Sequence, residues 1–405
     1  MLIASNTVAQ QTRILFLGNS YTNYNNLPQL VADIGLSKGD SVIVDSNTPG
    51  GYTFQGHSTN TTSLAKINAG NYDYVVLQEQ SQLPSFSPGQ VANDVFPYAL
   101  LLDSLIQTAN SCAKTVFYMT WGRKYGDASN CANYAPVCTY EGMQMRLRDS
   151  YVQMAIDNEA IVAPAGMAWR ASWYADSTIN LWSSDNSHPS LAGSYLTACT
   201  MYATIFRNSP LGATVPSGLN ATTGNFLQGI ANQIVFDSLT TWNIGVNDLN
   251  ADFNFLGNLN SIQFNNTSAN ALNYNWDFGD GSTSTNQDPF HVYNSSGNYL
   301  VALIASDGCT NDTTQIVVPV TIAGLNEGFF EEVKIINTNN GYIRVSNLKT
   351  QSSFSIFSQA GSLLKEGKVD VSSNYIDVSS LNTGIYFINI ESNKGERYSS
   401  KFIVK

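Results

Sequence analysis

Ser20 stands in the segment Leu17-Gly18-Asn19-Ser20-Tyr21-Thr22, directly after an apolar run and before a stretch with helical spacing. A serine at that junction lies at a strand end beside free backbone N–H groups, the surroundings in which an oxyanion can be stabilised next to a nucleophile. A hydroxyl that caps the following helix has the same signature, so Ser20 alone carries both readings. Far downstream, Ser184-Asp185-Asn186-Ser187-His188-Pro189-Ser190 precedes the helical stretch LAGSYLTACTMYATIF. Pro189 suits the first helical position there. Asp185, three residues before His188, is close enough to orient the imidazole, and an oriented imidazole is the base that a serine nucleophile requires. The chain has three histidines. His291 falls in an acidic, strand-patterned region and His57 follows a glycine-rich loop, so His188 is the preferred base and His57 the fallback. The chemistry pointed to is acyl transfer through a serine.

Positioning such residues requires a sheet whose strand ends gather on one edge. RILFLG (13–18), SVIVDS (41–46), DYVVLQ (73–78), TVFYMTW (115–121) and AIVAPAG (160–166) read as buried strands bounded by turn residues. LPQLVADIGLSKG, VFPYALLLDSLIQTANS and GMQMRLRDSYVQMAIDNE between them have helical periodicity. Apolar strands alternating with helices imply an α/β domain with a parallel sheet covered by helices on both faces. Ligands in such sheets bind outside the carboxyl ends of the strands.

Composition bounds the remainder. The 405 residues carry 19 Lys+Arg against 30 Asp+Glu, a formal net charge of −11, which argues against nucleic acid as a partner. No apolar run reaches the ~18 residues that a membrane span needs, so membrane insertion is not expected. Residues 246–324 hold no Lys or Arg, unlike the mixed segments on either side, and this shift divides the chain into 11–245, 246–324 and 325–405. The last two segments alternate short apolar and polar runs between Gly/Asn/Ser turns, the pattern of two small all-β sandwiches. Residues 1–10, MLIASNTVAQ, read either as the end of a signal peptide cleaved near Thr7-Val8-Ala9 or as a short unstructured N-terminus. Cys131 and Cys138 suit a small-loop disulfide in an exported chain. Cys112 and Cys199 read as small buried hydrophobes, and Cys309 has no sequence neighbour to pair with. No Cys/His cluster suggests zinc, and neither a metal nor a cofactor is expected.

The blocks GNSYT, TPGG and DNSHP, in that order, resemble the SGNH (GDSL-like) hydrolase superfamily over residues 12 to about 207. The resemblance implies a flavodoxin-like three-layer α/β/α fold and an esterase in which Ser20 is the nucleophile and Asp185 and His188 complete the triad. Gly51 (or Gly50) would join the Ser20 N–H in the oxyanion hole. The family's third block, Gly-x-Asn-Asp, is replaced by Gln78-Glu79-Gln80-Ser81-Gln82. A glutamine amide supplies the same donor as the missing asparagine, and Gln80 is favoured, with Gln78 and Gln82 as rivals. Gln78 and Trp121 are also candidates for lining the substrate pocket, although a tryptophan is as readily packed core.

Tyr274-Asn275-Trp276-Asp277-Phe278-Gly279-Asp280-Gly281, with Pro289–Tyr293 and Gly297-Asn298-Tyr299, resembles the PKD domain over about residues 251–323. Trp276 would then be core and Asp280-Gly281 a tight turn; the acidic cluster reads as a solvated face rather than a calcium site. Tyr375-Ile376-Asp377-Val378, Leu381–Phe387 and Lys401–Lys405 resemble the C-terminal sorting domain of the type IX secretion system of Bacteroidetes, without its usual Pro-Asn-Pro. That resemblance implies the type IX machinery as a partner and a secreted or cell-surface protein. Taken together, the expected protein is a secreted serine esterase acting on an acylated carbohydrate or a small ester, with O-acetylated polysaccharide preferred. A general short-chain carboxylesterase, or an inactive glycan-binding protein, are the alternatives.

Overall fold

Each of the five apolar runs forms a strand of one parallel sheet. In the computed structural model, which describes residues 11–322, 333–338, 340–393 and 395–405, the chain opens with β1 (Gln11–Leu17), α1 (Ser20–Asn23), α2 (Leu27–Lys38) and β2 (Ser41–Asn47). There follow α3 (Phe54–Thr59), α4 (Thr61–Asn68), β3 (Tyr74–Leu77), α5 (Pro88–Asp94), α6 (Phe96–Ala109) and β4 (Lys114–Tyr118). The domain closes with α7 (Tyr140–Asp157), β5 (Ile161–Ala163), α8 (Ala165–Ala175), α9 (Leu191–Phe206) and α10 (Ala221–Phe236). The expected signal-peptide remnant, residues 1–10, lies outside the described residues, as does the expected boundary at 324/325.

The strand order is β2-β1-β3-β4-β5, all parallel. Leu17 is level with Asn47 and Leu77, and Leu77 with Phe117, so β1, β2, β3 and β4 finish together and their following loops share one edge. One group of helices, α2, α8, α9 and α10, packs together, and α3 to α7 form another. α9 is apolar nearly all round because α2, α8 and α10 cover it; Ala192 to Ile205 are all buried. α8 and α10 were not expected from the sequence: α8 begins within the run read as a strand, 160–166, and α10 is broken by polar and glycine positions. Cys199 is buried in α9 as a free thiol, and burial pushes its pKa up to about 12.

The remaining strands are antiparallel. β6 (Phe253–Asn258), β7 (Ser261–Asn266), β8 (Asn273–Asp277), β9 (Thr283–Ser284), β10 (Phe290–Val292), β11 (Gly297–Ser306) and β12 (Asn311–Val320) form two sheets. Their inner faces meet at Phe253, Phe264 and Trp276, and Trp276 is fully buried as expected of a core residue. Asp280 bonds His291 at 2.7 Å and caps the Ser282 N–H, with Gly279 and Gly281 both at positive φ in the turn. A second sandwich consists of β13 (Lys334–Thr338), β14 (Tyr342–Ser346), β15 (Ser352–Ser358), β16 (Leu363–Val369), β17 (Tyr375–Asp377), β18 (Gly384–Ser392) and β19 (Arg397–Val404). Ile343, Val345 and Ile376 from one sheet meet Ile356, Ile388 and Ile390 from the other in its core.

By contacts the chain forms two compact units. The first runs through Asp252 and takes in Thr267–Asn275 and Leu303–Thr314; the second holds Phe253–Asn266, Trp276–Ala302 and the chain from Gln315 on. Within the first unit Cys112, in the turn before β4, is disulfide-bonded to Cys309, in the turn after β11. This corrects the sequence reading of both cysteines: they are 197 residues apart, and no local pattern signals a pairing made by tertiary structure. Asp248 reinforces the same region through Arg207 and Lys114, and these cations hold its carboxyl down at about 2. Cys131 and Cys138 do form the expected small-loop disulfide.

Candidate active site

The loop after β1 is anchored by Asn19, not by Ser20. Asn19 is the N-cap of α1: its Oδ1 accepts the Tyr21 N–H at 3.1 Å. Its Nδ2 donates to the Tyr52 carbonyl at 2.9 Å, and its backbone N–H donates to Gln78 Oε1 at 2.9 Å. One buried asparagine thus ties the starts of three loops, those following β1, β2 and β3. Ser20 becomes the first residue of α1, so its hydroxyl is free of capping duty and its N–H has no intrahelical acceptor. Gly18 is required beneath it, since a Cβ there would stand 2.5 Å from Thr22 Oγ1 and 2.7 Å from Gln78 Oε1.

The second half of the site is the loop Ser183–Ser190. Its base is closed by Ser183 N–H to the His188 carbonyl, 2.7 Å, and Ser190 N–H to the Leu181 carbonyl, 2.8 Å. Ser190 caps α9, which begins at Leu191, so Pro189 precedes the cap instead of occupying the first helical position. Asp185 Oδ1 accepts from the N–H groups of Ser187 (3.0 Å) and His188 (2.9 Å) and from the Ser183 hydroxyl (2.8 Å). Its Oδ2 bonds His188 Nδ1 at 2.5 Å. Burial would raise this carboxyl, but the imidazole, the Ser183 hydroxyl and the two N–H groups outweigh it and hold Asp185 well below the usual carboxylate range. With an ionised carboxylate at Nδ1, that nitrogen carries the ring proton and Nε2 is left as the acceptor. Ser20 Oγ lies 2.8 Å from Nε2, in position to donate to it.

Aromatic residues hold this loop in place. Trp121 Nε1 donates to the Ser187 carbonyl at 2.9 Å, and the Tyr21 hydroxyl bonds Ser187 Oγ at 2.6 Å. Trp121 is stacked between Tyr21 (4.8 Å) and Trp169 (3.7 Å), with Trp182 edge-on to Trp169 at 5.2 Å. The imidazole is itself flanked: Tyr24 stacks on it at 4.4 Å and Tyr21 meets it edge-on at 5.3 Å. Tyr21 and Tyr24 went unnoticed in the sequence. Their only signal was the i, i+3 spacing of two aromatics directly behind Ser20.

Several expected roles are not those the structure gives. Trp121 is fully buried and supports the His188 loop from below, so it has no face for a substrate. Gln78 is also fully buried; its Oε1 takes the Asn19 N–H and the Thr22 hydroxyl, and its amide nitrogen bonds the Glu79 carbonyl, which makes it a loop anchor and not a substrate contact. Gln80 is used within its own loop, with Oε1 accepting from the Gln82 and Leu83 N–H groups and Nε2 donating to Gln82 Oε1. Gln82 donates in turn to Asp127. The expected amide donor from Gln80 to the oxyanion is thus turned to loop closure, for which a glutamine two residues before a free N–H is well suited. His57, the fallback base, is buried with Nδ1 on Ser63 Oγ (2.8 Å) and Nε2 on the Gly18 carbonyl (2.9 Å); burial lowers its pKa and it serves as a neutral strut. Gly51 occupies the turn closed by the Tyr52 N–H to the Pro49 carbonyl, at φ 68°, where its lack of a Cβ is needed. The Asn19–Tyr52 bond fastens that turn to the α1 entrance.

Glu79 was overlooked because an acid at a strand end is unremarkable in sequence. It is fully buried, with Oε2 accepting the Phe54 N–H (2.9 Å) and Oε1 the Gln80 N–H (2.5 Å). Burial outweighs those two donors and pushes its carboxyl up to about 8. Between its ordinary value of 4.5 and about 8, unfolding releases a proton, so its contribution to stability is complete below 4.5 and is lost as the pH rises through 8. The slope is at most about 1.4 kcal/mol per pH unit. Thermal unfolding of Glu79→Gln beside the wild type checks this: the melting difference, variant minus wild type, is expected to grow between pH 5 and pH 8. A constant difference would show that Glu79 binds protons equally in both states.

Against this geometry stand the comparisons with known proteins. Residues 258–322 match the model of the PKD domain, and residues 335–405 match the secretion system C-terminal sorting domain. The tail is a type IX sorting domain. With the sorting domain at its C-terminus, the protein is secreted or displayed at the cell surface. In fold the N-terminal domain is similar to solved structures, esterases of the GDSL type among them. A DUF4886 family protein from Bacteroides uniformis is 17% identical over 56% of this chain and 96% of its own, with a TM-score of 0.48. An acetyl xylan esterase is 14% identical over 48% of this chain and 99% of its own, with a TM-score of 0.37. Among curated proteins, the collagenase ColQ1 of Bacillus cereus is 58% identical over 36 residues, and the match spans only 4% of that enzyme's length.

Proposed function

We propose that the N-terminal domain is a serine esterase that removes acyl groups, acetyl foremost, from polysaccharide outside the cell. The observation that carries this reading is the hydrogen-bonded chain Ser20 Oγ–His188 Nε2–His188 Nδ1–Asp185 Oδ2, at 2.8 Å and 2.5 Å. His188 Nε2 removes the Ser20 proton as Oγ attacks the ester carbonyl, and Asp185 steadies the imidazolium that results. The N–H groups of Ser20 and Gly51 receive the developing oxyanion; a donor of that kind is worth about 100–1,000-fold in rate. His188 then gives its proton to the leaving alkoxide, and water, activated by the same base, releases the acid from Ser20.

Two features favour a polymer as the substrate. The sorting domain marks the protein for export by the type IX machinery, so its substrates lie outside the cell, where polymers are common targets. The His188 and Asp185 side chains are 26% and 46% exposed, so the reacting edge opens to the surface, as a substrate too long for a closed pocket requires. The test is covalent. A fluorophosphonate probe should leave a single adduct on the peptide carrying Ser20, detected by mass spectrometry, and none on Ser20→Ala. An unlabelled wild type would sink the esterase assignment.

A further inference from the structure

The chain from Ser20 to Asn25 wraps around the imidazole of His188. Ser20 Oγ meets Nε2 at 2.8 Å, and Tyr21 approaches the ring edge-on at 5.3 Å. Tyr24 lies nearly parallel on the face of the ring, with 4.4 Å between centroids and 18° between planes. Asn25 then fastens this segment to the far side of the loop: its Nδ2 donates to Ser194 Oγ at 2.9 Å and reaches the carbonyl of Pro189, the neighbour of His188, at 3.4 Å. Asn25 and Asn26 both adopt left-handed backbone, at φ 53° and 51°, which asparagine tolerates better than other residues with a side chain. Such backbone persists only where its surroundings hold it in place. Here it sets Tyr24 on the imidazole while leaving that tyrosine 40% exposed, so the stack is not a by-product of core packing.

The reaction sets the stage at which this contact acts. In acylation Ser20 Oγ bonds to the carbonyl carbon, the bond from that carbon to the alcohol oxygen breaks, and the Ser20 proton passes through Nε2 to the departing alkoxide. The hydrogen bond from Oγ to Nε2 itself aims the ring at that stage. In deacylation Oγ is an ester oxygen with no proton to give. Water then bonds to the carbonyl carbon, its proton goes to Nε2 and on to Oγ, and the bond from Oγ to the carbon breaks. Throughout that half of the cycle Nε2 lacks its serine donor, and of the two bonds in the triad only the one from Nδ1 to Asp185 still holds the imidazole. A ring held by a single hydrogen bond can tip about it, and a stacked face opposes the tipping. Tyr21 meets the ring only edge-on and is tied to Ser187 Oγ, so the face is covered by Tyr24. Resting on the esterase reading, we infer that Tyr24 is a positioning residue for the second half-reaction: it keeps His188 aimed at the water that releases the acyl group from Ser20.

The experiment follows p-nitrophenyl acetate hydrolysis before and during the steady state, with the full chain as wild type, Tyr24→Leu and Tyr24→Phe. The position is exposed, so both variants should fold. With so good a leaving group acylation is fast, kcat reports the release of acetate, and kcat/KM reports acylation. Tyr24→Leu is expected to lower kcat about tenfold and KM with it, while kcat/KM stays within about threefold, because a misaimed base slows only the step in which no serine proton aims it. A burst of p-nitrophenolate equal to the enzyme concentration should precede its slow phase, and mass spectrometry of the quenched variant should find acetyl on the peptide carrying Ser20. Tyr24→Phe keeps the ring that makes the stack and should restore kcat to within about twofold of the wild type. Equal falls in kcat and kcat/KM, no change in either, or a Tyr24→Phe as slow as Tyr24→Leu overturns the assignment and leaves the serine esterase standing. A wild type that hydrolyses no ester and takes up no fluorophosphonate removes the esterase reading and the role of Tyr24 with it.

Discussion

Ser20→Ala is expected to lower kcat/KM for p-nitrophenyl acetate by about 10⁴–10⁶-fold, and His188→Ala by a similar factor. The reason is that neither group acts alone: without Oγ there is no nucleophile, and without Nε2 at 2.8 Å the hydroxyl stays protonated. The double variant should therefore be no worse than either single one, because residues that work as a unit are not additive. Asp185→Asn is expected to cost about 10⁴-fold while leaving the fold intact, since an amide at Oδ2 turns the imidazole to the wrong tautomer. Steady-state kinetics on the three single variants and the double, with circular dichroism to confirm folding, make the check. Activity of Ser20→Ala within tenfold of the wild type would mean that hydrolysis occurs elsewhere on the chain.

The second large effect concerns the Cys112–Cys309 bond. A cross-link closing a loop of about 200 residues restricts the unfolded chain by about 5 kcal/mol in the chain-entropy account, against about 2.5 kcal/mol for a loop of about eight. Sequence separations of 197 and 7 put the two disulfides at these two ends of the scale. Urea unfolding of Cys112→Ser/Cys309→Ser should thus show the greater loss of stability, and Cys131→Ser/Cys138→Ser the smaller. Ester hydrolysis should survive in the first variant, because Cys112 precedes β4 whereas Ser20 follows β1, at the opposite edge of the sheet. Equal losses in the two variants would show that the long loop gives the Cys112–Cys309 bond no entropic advantage over the short one, as expected if Asp248, Arg207 and Lys114 already hold that region together.

How much of this was legible in the sequence depended on distance along the chain. Most of the strands were plain because a strand buried on both faces is apolar without interruption, and α9 was plain for a related reason; β2, an edge strand with no fully buried residue, showed itself only through its Val-Ile-Val run. Asp185 and His188 could be paired because three residues separate them. Ser20 could be placed near them because strand ends in a parallel sheet share an edge. What the glutamines do was not legible. Gln78 and Gln80 have the same side chain two residues apart, and only packing decides that one is a buried anchor for Asn19 while the other closes its own loop. Trp121 was open between pocket and core until Trp169, 48 positions later, was seen stacked against it. Tyr24 stacks on His188, 164 positions later, and no local pattern reports such a meeting.

The column of rings beneath the His188 loop has an optical consequence. Trp182, Trp169 and Trp121 are buried and in mutual contact, and Trp121 continues through Tyr21 to the imidazole. Indoles packed this closely exchange excitation energy, and their emission responds to any shift in ring spacing or to a charge appearing on a neighbouring group. The protein thus contains its own fluorophore array wired to the proposed catalytic loop, through which events at His188 can be followed without a dye.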